Sequence, residues 1–417
     1  MKKIALFLLV VFFAVIGFAK TNLEVLWMGW PTDKVMTLVN EFQAANPDIS
    51  VDVQLVPYTQ LFQTIEVRLS GNSSTPDVFI VDGPLNPSYA IRGNLLALDE
   101  YFSEEELEPF FDSSIETATF DGKLYSIPYT TSSVGLYFNK EIFDEYGIPY
   151  PPETPGERLT WEEVAEIAKK LTIDENGDGT PDVWGLIIEQ IDRPYQLLPL
   201  VQSLGGEVIS PDGLSTAGYL TSEEFLKAAD FYWNLFNGWK VSPQGLNNSS
   251  ISREYFGNGK AAMMLGADWN INRLAEFEDL EYGLSPHPYF EGGIAVTPTG
   301  SWHVGINANT KNVAASVDFV KFLTSKEALA EWNQLFGHLP ARQDSYDLLE
   351  EEFSKPEWQI LLYEMDHTAM ARPVTPGFLQ YELILRETFN SIHYGSDPEQ
   401  SLKDAETRID RELRKFK

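Results

Sequence analysis

Apolar positions along the chain follow two spacings, one typical of strands and one typical of helices. Leu23 to Met28 is an apolar run that predicts a buried strand, and Thr32 to Ala45 repeats its apolar residues at helical spacing. The same order returns as a strand at Ser50 to Val56, a helix at Tyr58 to Leu69 and a strand at Asp77 to Val81. Strands that alternate with helices predict an α/β fold with a parallel sheet, whose ligands bind beyond the carboxyl ends of the strands.

The segment DGKLYSIPYTTSSVGLYFNKEIFDEYGI, residues 121 to 148, contains two apolar strands separated by small polar residues. Lys123 to Pro128 alternates as a strand does, and Val134 to Phe138 predicts a second strand. Between them, Tyr129 to Ser133 is a run of hydroxyl-bearing residues that cannot build a core. Such a run is typical of a chain that crosses between lobes and presents hydroxyl groups to a ligand. An ordinary hairpin followed by a helix is the alternative, and periodicity by itself favours it.

The rest of the chain predicts a second unit that is richer in helix. The middle, from Pro149 to about Leu280, is mostly helical, and Ser301 to Asn307 predicts a strand that returns to the first sheet. A length of 417 residues exceeds what one core needs, so two domains are expected. Three crossings, near Thr130, His287 and Leu323, would join them as a hinge. The predicted division is lobe one at 22–129 plus 288–323 and lobe two at 130–287 plus 324–417.

Charge and the N-terminus restrict the partners and the compartment. The chain has 30 Lys and Arg residues against 62 Asp and Glu residues, a net charge of −32 that repels nucleic acid and anionic lipid. Lys2, Lys3 and an apolar run from Ile4 to Ile16 predict a signal peptide, residues 1–19, cleaved after Ala19. A retained anchor is the weaker alternative because the run is short for a bilayer. There is no cysteine for a disulfide or a lipid anchor, so we expect a periplasmic protein.

Aromatic residues are abundant, with 10 Trp, 18 Tyr and 26 Phe in the sequence. Trp30, Trp269 and Trp302 each lie beside glycine, proline or polar residues. A sugar ring stacks its C–H face on a flat indole while polar side chains bind its hydroxyl groups. Each of these three indoles is therefore a candidate for a cleft wall, and a place in the core is an equal alternative.

Several segments resemble those of extracellular solute-binding proteins of ABC importers, in the maltose-binding-like (family 1) group that captures carbohydrates. They are GKLYSIPY with GLYFNKEIFDEYGI, PDVFIVD, RPYQLLPLVQSLGGE, FGNGKAAMMLGADW and GSWHVGINANTKNVAASVDFVKFLTS. The resemblance runs through most of the mature chain. It implies a two-lobed periplasmic-binding-protein fold, class II-like, in which each lobe is a mainly parallel sheet flanked by helices and the ligand binds between the lobes.

The resemblance also implies a set of ligand-binding residues. The family's stacking indole corresponds to Trp269, its strand-end acid to Asp82, and its second-lobe cleft segment to Arg193 and Tyr195. Maltose-binding members often carry an acid where this chain has Ser132, so a maltodextrin is not expected. Together with the loop residues, the predicted ligand-binding set is Trp30, Asp82, Tyr129, Thr130, Ser132, Arg193, Tyr195, Trp269, Gly300, Trp302, His303 and Arg372.

One acidic loop has the pattern of a calcium site, D-x-N-x-D-G-x-x-D. Its oxygen ligands would be Asp174, Asn176, Asp178, Thr180 and Asp182. The twelfth position is Gly185 rather than a bidentate Glu, so an acidic turn without metal is the alternative. The five histidines are scattered without metal-ligand spacing, and His303 is expected either to bind the ligand or to be a satisfied strand residue. No cofactor is required.

The expected function is capture of a carbohydrate or related polyol and its delivery to an ABC permease by hinged lobe closure. The protein is expected to act as a monomer without catalytic residues, because no nucleophile or phosphate-loop motif is present. An extracellular glycoside hydrolase is one alternative, since stacking aromatic residues serve both functions. A binding protein for a sugar or polyol phosphate is another, with Arg193, Arg372 and Lys34 as cationic donors.

Overall fold

A computed structural model describes residues 20–246, 248–300 and 302–417. The predicted signal peptide lies outside the described residues. The strands are β1 Thr21–Met28, β2 Ile49–Val56, β3 Val78–Asp82, β4 Thr119–Phe120, β5 Lys123–Leu124, β6 Ser126–Thr131, β7 Val134–Asn139, β8 Ile187–Ile188, β9 Met263–Ala267, β10 Tyr282–Ser285, β11 Thr297–Pro298, β12 Trp302–Ile306, β13 Leu339–Pro340 and β14 Ala369–Met370.

The helices lie between and around these strands. They are α1 Thr32–Ala45, α2 Tyr58–Leu69, α3 Asn86–Ile91, α4 Glu104–Leu107, α5 Asp112–Ala118, α6 Lys140–Glu145, α7 Trp161–Lys170, α8 Leu198–Ser203, α9 Glu223–Trp233, α10 Ser249–Gly257, α11 Asn270–Leu274, α12 Val313–Leu323, α13 Lys326–Phe336, α14 Glu350–Phe353, α15 Pro356–His367, α16 Phe378–His393 and α17 Pro398–Leu413. In the part of the chain that the structure describes, no helix is long and apolar enough to cross a membrane.

Two sheets divide the protein into two lobes. The first lobe contains a six-stranded sheet in the order β13-β6-β12-β3-β1-β2, and the second a four-stranded sheet in the order β10-β7-β9-β8. The expectation of a two-lobed α/β fold is confirmed. The strand directions, however, are mixed rather than mainly parallel, since β12 and β13 run antiparallel to their neighbours, as does β7. The chain returns from the second lobe at the end of β3 where Asp82 lies, so β12 runs in the direction opposite to β3.

Local sequence explains why the elements begin where they do. The apolar stripe of α1, with Val35, Leu38, Val39 and Phe42 buried, packs against the first sheet. At α7, the Thr160 hydroxyl accepts from the Glu163 N–H at 3.2 Å, and the Glu163 carboxylate accepts from the Thr160 N–H at 2.8 Å. This reciprocal capping box satisfies two backbone donors at the helix start. The residue types at Thr160 and Glu163 therefore explain why this helix begins at Trp161.

The crossings between the lobes fall partly where they were expected. Ser132 and Ser133 join β6 of the first sheet to β7 of the second. Tyr289, placed in lobe one by the sequence, bridges to Thr160 of the second lobe, so the return crossing lies closer to Gly300. Strand β13, expected in lobe two, pairs with β6 in the first sheet, which puts the third crossing after Pro340 instead of at Leu323. The other domain boundaries stay a prediction.

Candidate functional site

Three candidate residues lie together because of the direction of the strands that carry them. Trp30 follows β1, and Asp82 is the last residue of β3, which is parallel to β1. Trp302 begins the antiparallel strand β12 and pairs with Asp82. An antiparallel strand begins where its neighbour ends, so all three residues lie at the edge of the first sheet that faces the second lobe.

The first lobe presents aromatic rings at this edge, which we name the aromatic wall: Trp30, Tyr58, Phe62 and Trp302. The ring centroids of Trp30 and Trp302 are 6.5 Å apart and meet edge to face. Trp302 also lies 6.3 Å from Tyr58 and is stacked on Phe62 at 6.4 Å. Tyr58 and Phe62, both in α2, are absent from the predicted ligand-binding set. A helical stripe that packs on the sheet edge cannot be distinguished by spacing from one that packs on the core.

Charged side chains from both lobes meet beside the aromatic wall and form what we call the charged quartet: Asp82, Arg193, Arg372 and Glu382. Arg372 donates to one oxygen of Asp82, and Arg193 lies 3.4 Å from the other. Arg193 Nε lies 3.3 Å from Glu382 Oε1. The side chain of Asp82 is 3% exposed and that of Arg372 is 5% exposed. Since Asp82 belongs to the first lobe and the other three to the second, the ion pairs of Asp82 with Arg193 and Arg372 join the lobes.

The rings near the charged quartet interact with its guanidinium groups. The Arg193 guanidinium lies 5.1 Å from the Tyr58 ring centroid and 5.5 Å from that of Tyr195. The Arg372 guanidinium lies 5.0 Å from the Tyr195 ring centroid. Cations over aromatic faces are favourable when water is excluded. Burial raises the pKa of Asp82, and the charge of Arg372 opposes this rise.

The second lobe places one indole toward the first lobe. Trp269 donates from Nε1 to Glu189 Oε1 at 2.8 Å, and the other oxygen of Glu189 accepts from the Ala267 N–H at 3.2 Å. Glu189 is completely buried, and burial raises its pKa. The Trp269 ring lies 6.4 Å from His338, whose ring is 6.0 Å from Trp30. Glu189 therefore fixes the indole, and His338 lies between the indole and Trp30 of the first lobe.

The floor between the lobes is formed by the crossing segments. The Gly300 N–H donates to Ser132 Oγ at 2.8 Å. A Cβ atom at Gly300 would lie 2.9 Å from that oxygen and 3.7 Å from the Tyr195 hydroxyl oxygen, so glycine permits the close approach. Below it, the buried carboxylate of Asp268 accepts from the backbone N–H groups of Ser133 at 3.1 Å and Leu339 at 3.4 Å. Burial raises the pKa of Asp268 to about 8.

Three residues predicted for the cleft lie inside the first lobe instead. The Tyr129 ring, fully buried, packs 5.4 Å from Trp27 and 4.8 Å from Trp332. His303 is also fully buried, and its ring nitrogens lie 2.9 Å from Ser126 Oγ and 3.3 Å from Thr117 Oγ1. Thr130, in the same strand as Tyr129, is 2% exposed. His303 is thus the satisfied strand residue of the two alternatives, because alternation along a strand does not tell which face meets the ligand.

The acidic loop at residues 174–182 uses its oxygens to hold its own backbone. Asp174 accepts from the N–H groups of Gly177 and Gly179, each at 2.8 Å, and Asp182 accepts from the Glu175 N–H at 2.9 Å. Among the described residues, no group of three or more His, Cys, Asp or Glu side chains is placed to hold a metal ion. Calcium binding at this loop stays a prediction.

Two α/β lobes that meet over a hinge, with rings and paired charges between them, are the architecture of a two-lobed solute-binding protein. Residues 29–330 match the family described as bacterial extracellular solute-binding protein, and the chain belongs to this family. The sequence-based resemblance to that family is confirmed.

Similar proteins agree with this assignment. A protein of Brucella abortus (strain 2308) assigned as a binding protein is 27% identical over 383 residues, which cover 90% of this chain and 88% of that protein. The sn-glycerol-3-phosphate-binding periplasmic protein UgpB of Escherichia coli (strain K12) is 26% identical over 317 residues, 71% of this chain and 68% of UgpB. An ABC substrate-binding protein of Listeria monocytogenes in complex with cycloalternan has the same fold, with a TM-score of 0.82, 22% identity and coverage of 94% and 98%.

Proposed function

We propose that this protein captures a neutral carbohydrate or related polyol and delivers it to the permease of an ABC importer by closing its lobes. It acts outside the cytoplasmic membrane, after cleavage of the signal peptide, as a monomer and without catalysis. The proposal is supported by rings on both lobes, since the aromatic wall and Trp269 can stack on the two faces of a sugar. Carboxylates and guanidinium groups beside the rings can bind hydroxyl groups.

The observation that carries the choice of a neutral ligand is the charge of the quartet. Two arginines and two carboxylates sum to zero, and the ion pairs already join them. A phosphate dianion would need a cation in excess to offset its desolvation. Lys34, the third cation considered for a phosphate, instead donates to the Leu335 carbonyl and lies 5.5 Å from the Phe336 ring centroid.

A ligand panel tests this proposal. Purified protein is mixed with D-tagatose, maltotriose, cycloalternan and sn-glycerol-3-phosphate, and both the melting temperature and the release of products are followed. A ligand at 100 times its dissociation constant stabilises the folded state by about 2.7 kcal/mol, so binding is visible as a higher melting temperature. We expect stabilisation by a sugar, none by the phosphate ester, and no product. Product release would support the glycoside hydrolase alternative, and stronger stabilisation by the phosphate ester would contradict the neutral ligand.

A variant with an altered charge tests whether the zero net charge of the charged quartet favours a neutral ligand. Asp82→Asn leaves the quartet with one net positive charge, so the variant should lose sugar affinity and gain affinity for sn-glycerol-3-phosphate relative to the wild type. Glu399→Gln is the matched control, because it removes one negative charge from an exposed pair with Lys403 on α17. Equal changes in both variants would mean that overall charge, and not the quartet, determines the preference.

A further inference from the structure

The side chain of Gln196 is buried behind a candidate ligand-binding residue. Gln196 follows Tyr195 in a short 3-10 turn, Pro194–Gln196, and is 1% exposed. Its amide nitrogen lies 3.0 Å from Gln190 Oε1 and 3.2 Å from the hydroxyl oxygen of Tyr195. The amide thus contacts one acceptor that carries no hydrogen and one hydroxyl that can donate or accept.

The donor and acceptor roles in this contact follow from the hydrogens available. A primary amide has two N–H hydrogens, and the two neighbours of Gln196 Nε2 use both of them. In the orientation that the structure has, Gln196 Nε2 donates to both neighbours, and the Tyr195 hydroxyl accepts. A hydroxyl that accepts from Gln196 Nε2 cannot point its own hydrogen toward that nitrogen.

The direction left to this hydrogen is toward the floor between the lobes. The hydroxyl oxygen lies 3.7 Å from where a Cβ atom of residue 300 would be, and glycine leaves that position unfilled. Tyr195 is 7% exposed and packs under the guanidinium groups of Arg193 and Arg372. Burial raises the pKa of the Tyr195 phenol, so it keeps its hydrogen at neutral pH.

We propose that Gln196 is a positioning residue that fixes the Tyr195 hydroxyl as a hydrogen-bond donor to the ligand beside Gly300. The ligand then has to present an acceptor oxygen at this point, such as a hydroxyl or ring oxygen of a sugar. A ligand whose group there can only donate is rejected, because a buried donor facing a donor leaves both unsatisfied. This inference rests on the proposed function and adds a determinant of specificity to it.

Reversal of the amide's role provides the test. Gln196→Glu has nearly the same shape, and its ionised carboxylate has only acceptors, so the Tyr195 hydrogen turns toward it and away from the ligand. Affinity for whichever of D-tagatose, maltotriose and cycloalternan binds the wild type best should fall about tenfold, as it should in Tyr195→Phe. The double variant should bind no more weakly than either single variant. Gln196→Met is the control: it offers the hydroxyl no carboxylate and should lose less affinity than Gln196→Glu.

Additive losses in the double variant, or full affinity in Gln196→Glu, would overturn the inference. The same variants are melted without sugar to test the contact independently of the ligand. Gln196→Glu should lower the melting temperature more in the Tyr195→Phe background, where the carboxylate has lost its donor. Equal losses in both backgrounds would contradict the contact. If no sugar binds the wild type, the proposed function fails and so does the ligand's part in this inference, while the melting temperatures still decide the donor direction.

Discussion

Asp82 and Asp268 occupy comparable positions in the two lobes but have different partners. Asp82 ends β3 of the first sheet, and Asp268 directly follows β9 of the second. Both are buried, at 3% and 0% exposed, and burial raises the pKa of each carboxyl. Asp82 contacts two guanidinium groups of the other lobe, whereas Asp268 accepts hydrogen bonds from backbone N–H groups of the crossing and of β13.

The position of a carboxylate at the end of a strand therefore does not determine its role. The contacts of Asp82 are made by side chains and are lost when the lobes separate. The contacts of Asp268 are made to the backbone at the hinge, where the separation of the lobes is smallest. We therefore infer that Asp82 stabilises the closed state of the lobes and that Asp268 stabilises the hinge. The following variants test that inference.

The largest effect is expected for a carboxylate that lies inside one lobe and serves as the reference. Glu364 accepts from Arg158 through both oxygens, at 2.9 and 3.0 Å, and the two side chains are 0% and 7% exposed. Glu364→Ala leaves the arginine buried without its partner, so the free energy of unfolding should fall by about 3–5 kcal/mol. Denaturant unfolding measures this loss. Sugar affinity of the folded variant should be normal, and a weakened affinity would show that the pair also supports the cleft.

The next effect concerns the pH dependence of the hinge. With a pKa of about 8, folded Asp268 keeps a proton that the unfolded chain releases above about 4. Since the folded state binds the extra proton, the free energy of unfolding contributed by Asp268 falls as the pH rises from about 4 to 8. Asp268→Asn cannot titrate, so the wild type should lose stability relative to this variant by on the order of a few kcal/mol over that range.

Unfolding free energies of both proteins at pH 4, 6 and 8 measure this difference. Glu189 lies nearby, and its charge raises the pKa of Asp268 further. Glu189→Gln should therefore lower the midpoint of the pH dependence without abolishing it. A difference that does not change with pH would contradict a raised pKa at Asp268.

A smaller effect is expected for the residue next to Asp268. Trp269→Ala removes the indole that faces the first lobe, and aromatic stacking of this kind contributes on the order of one to a few kcal/mol. Sugar affinity should therefore fall roughly tenfold or more while the fold persists. Trp239, which packs under Lys169 at 4.4 Å, offers a matched Trp→Ala control with normal affinity expected. A large drop in the melting temperature with near-normal affinity would place Trp269 in the core.

The smallest effect on stability is expected for Asp82. Asp82→Ala removes the contact between the lobes, but open lobes let water reach Arg372, and Arg193 retains Glu382. The free energy of unfolding without ligand should therefore change by less than about 1 kcal/mol, as for an accessible ion pair. Denaturant unfolding beside Glu364→Ala gives the comparison. A loss as large as that of Glu364→Ala would mean that Asp82 holds the fold together.

Sequence reasoning was strongest where the pattern is long and local. The two strands on either side of Ser132 and Ser133 were predicted from periodicity and from residue type. Strand β13 was missed because two residues show no periodicity. The third crossing was consequently placed too early, and both α13 and β13 were assigned to the wrong lobe.

The candidate site was less predictable because its contacts join distant parts of the chain. Asp82 and Arg372 are 290 positions apart, and only the fold brings them together. Glu382 lies in a helix where an acid is ordinary, and Gln196 is an unremarkable amide beside Tyr195. The one indication of the site in this helix was an acidic residue, Glu382, within its apolar stripe. Tyr129 was misassigned because its neighbours in the strand have hydroxyl groups, although its ring packs into the core.

The ion pairs between the lobes also have a kinetic consequence. Asp82 and its two arginines can meet using protein atoms alone, so closure does not wait for a ligand to supply the contact. A ligand can enter only while the lobes are apart, and its apparent association rate therefore scales with the fraction of time that they are apart. Contacts that lengthen the residence of a bound sugar thus slow its entry. A receptor of this kind binds its ligand more slowly and releases it more slowly.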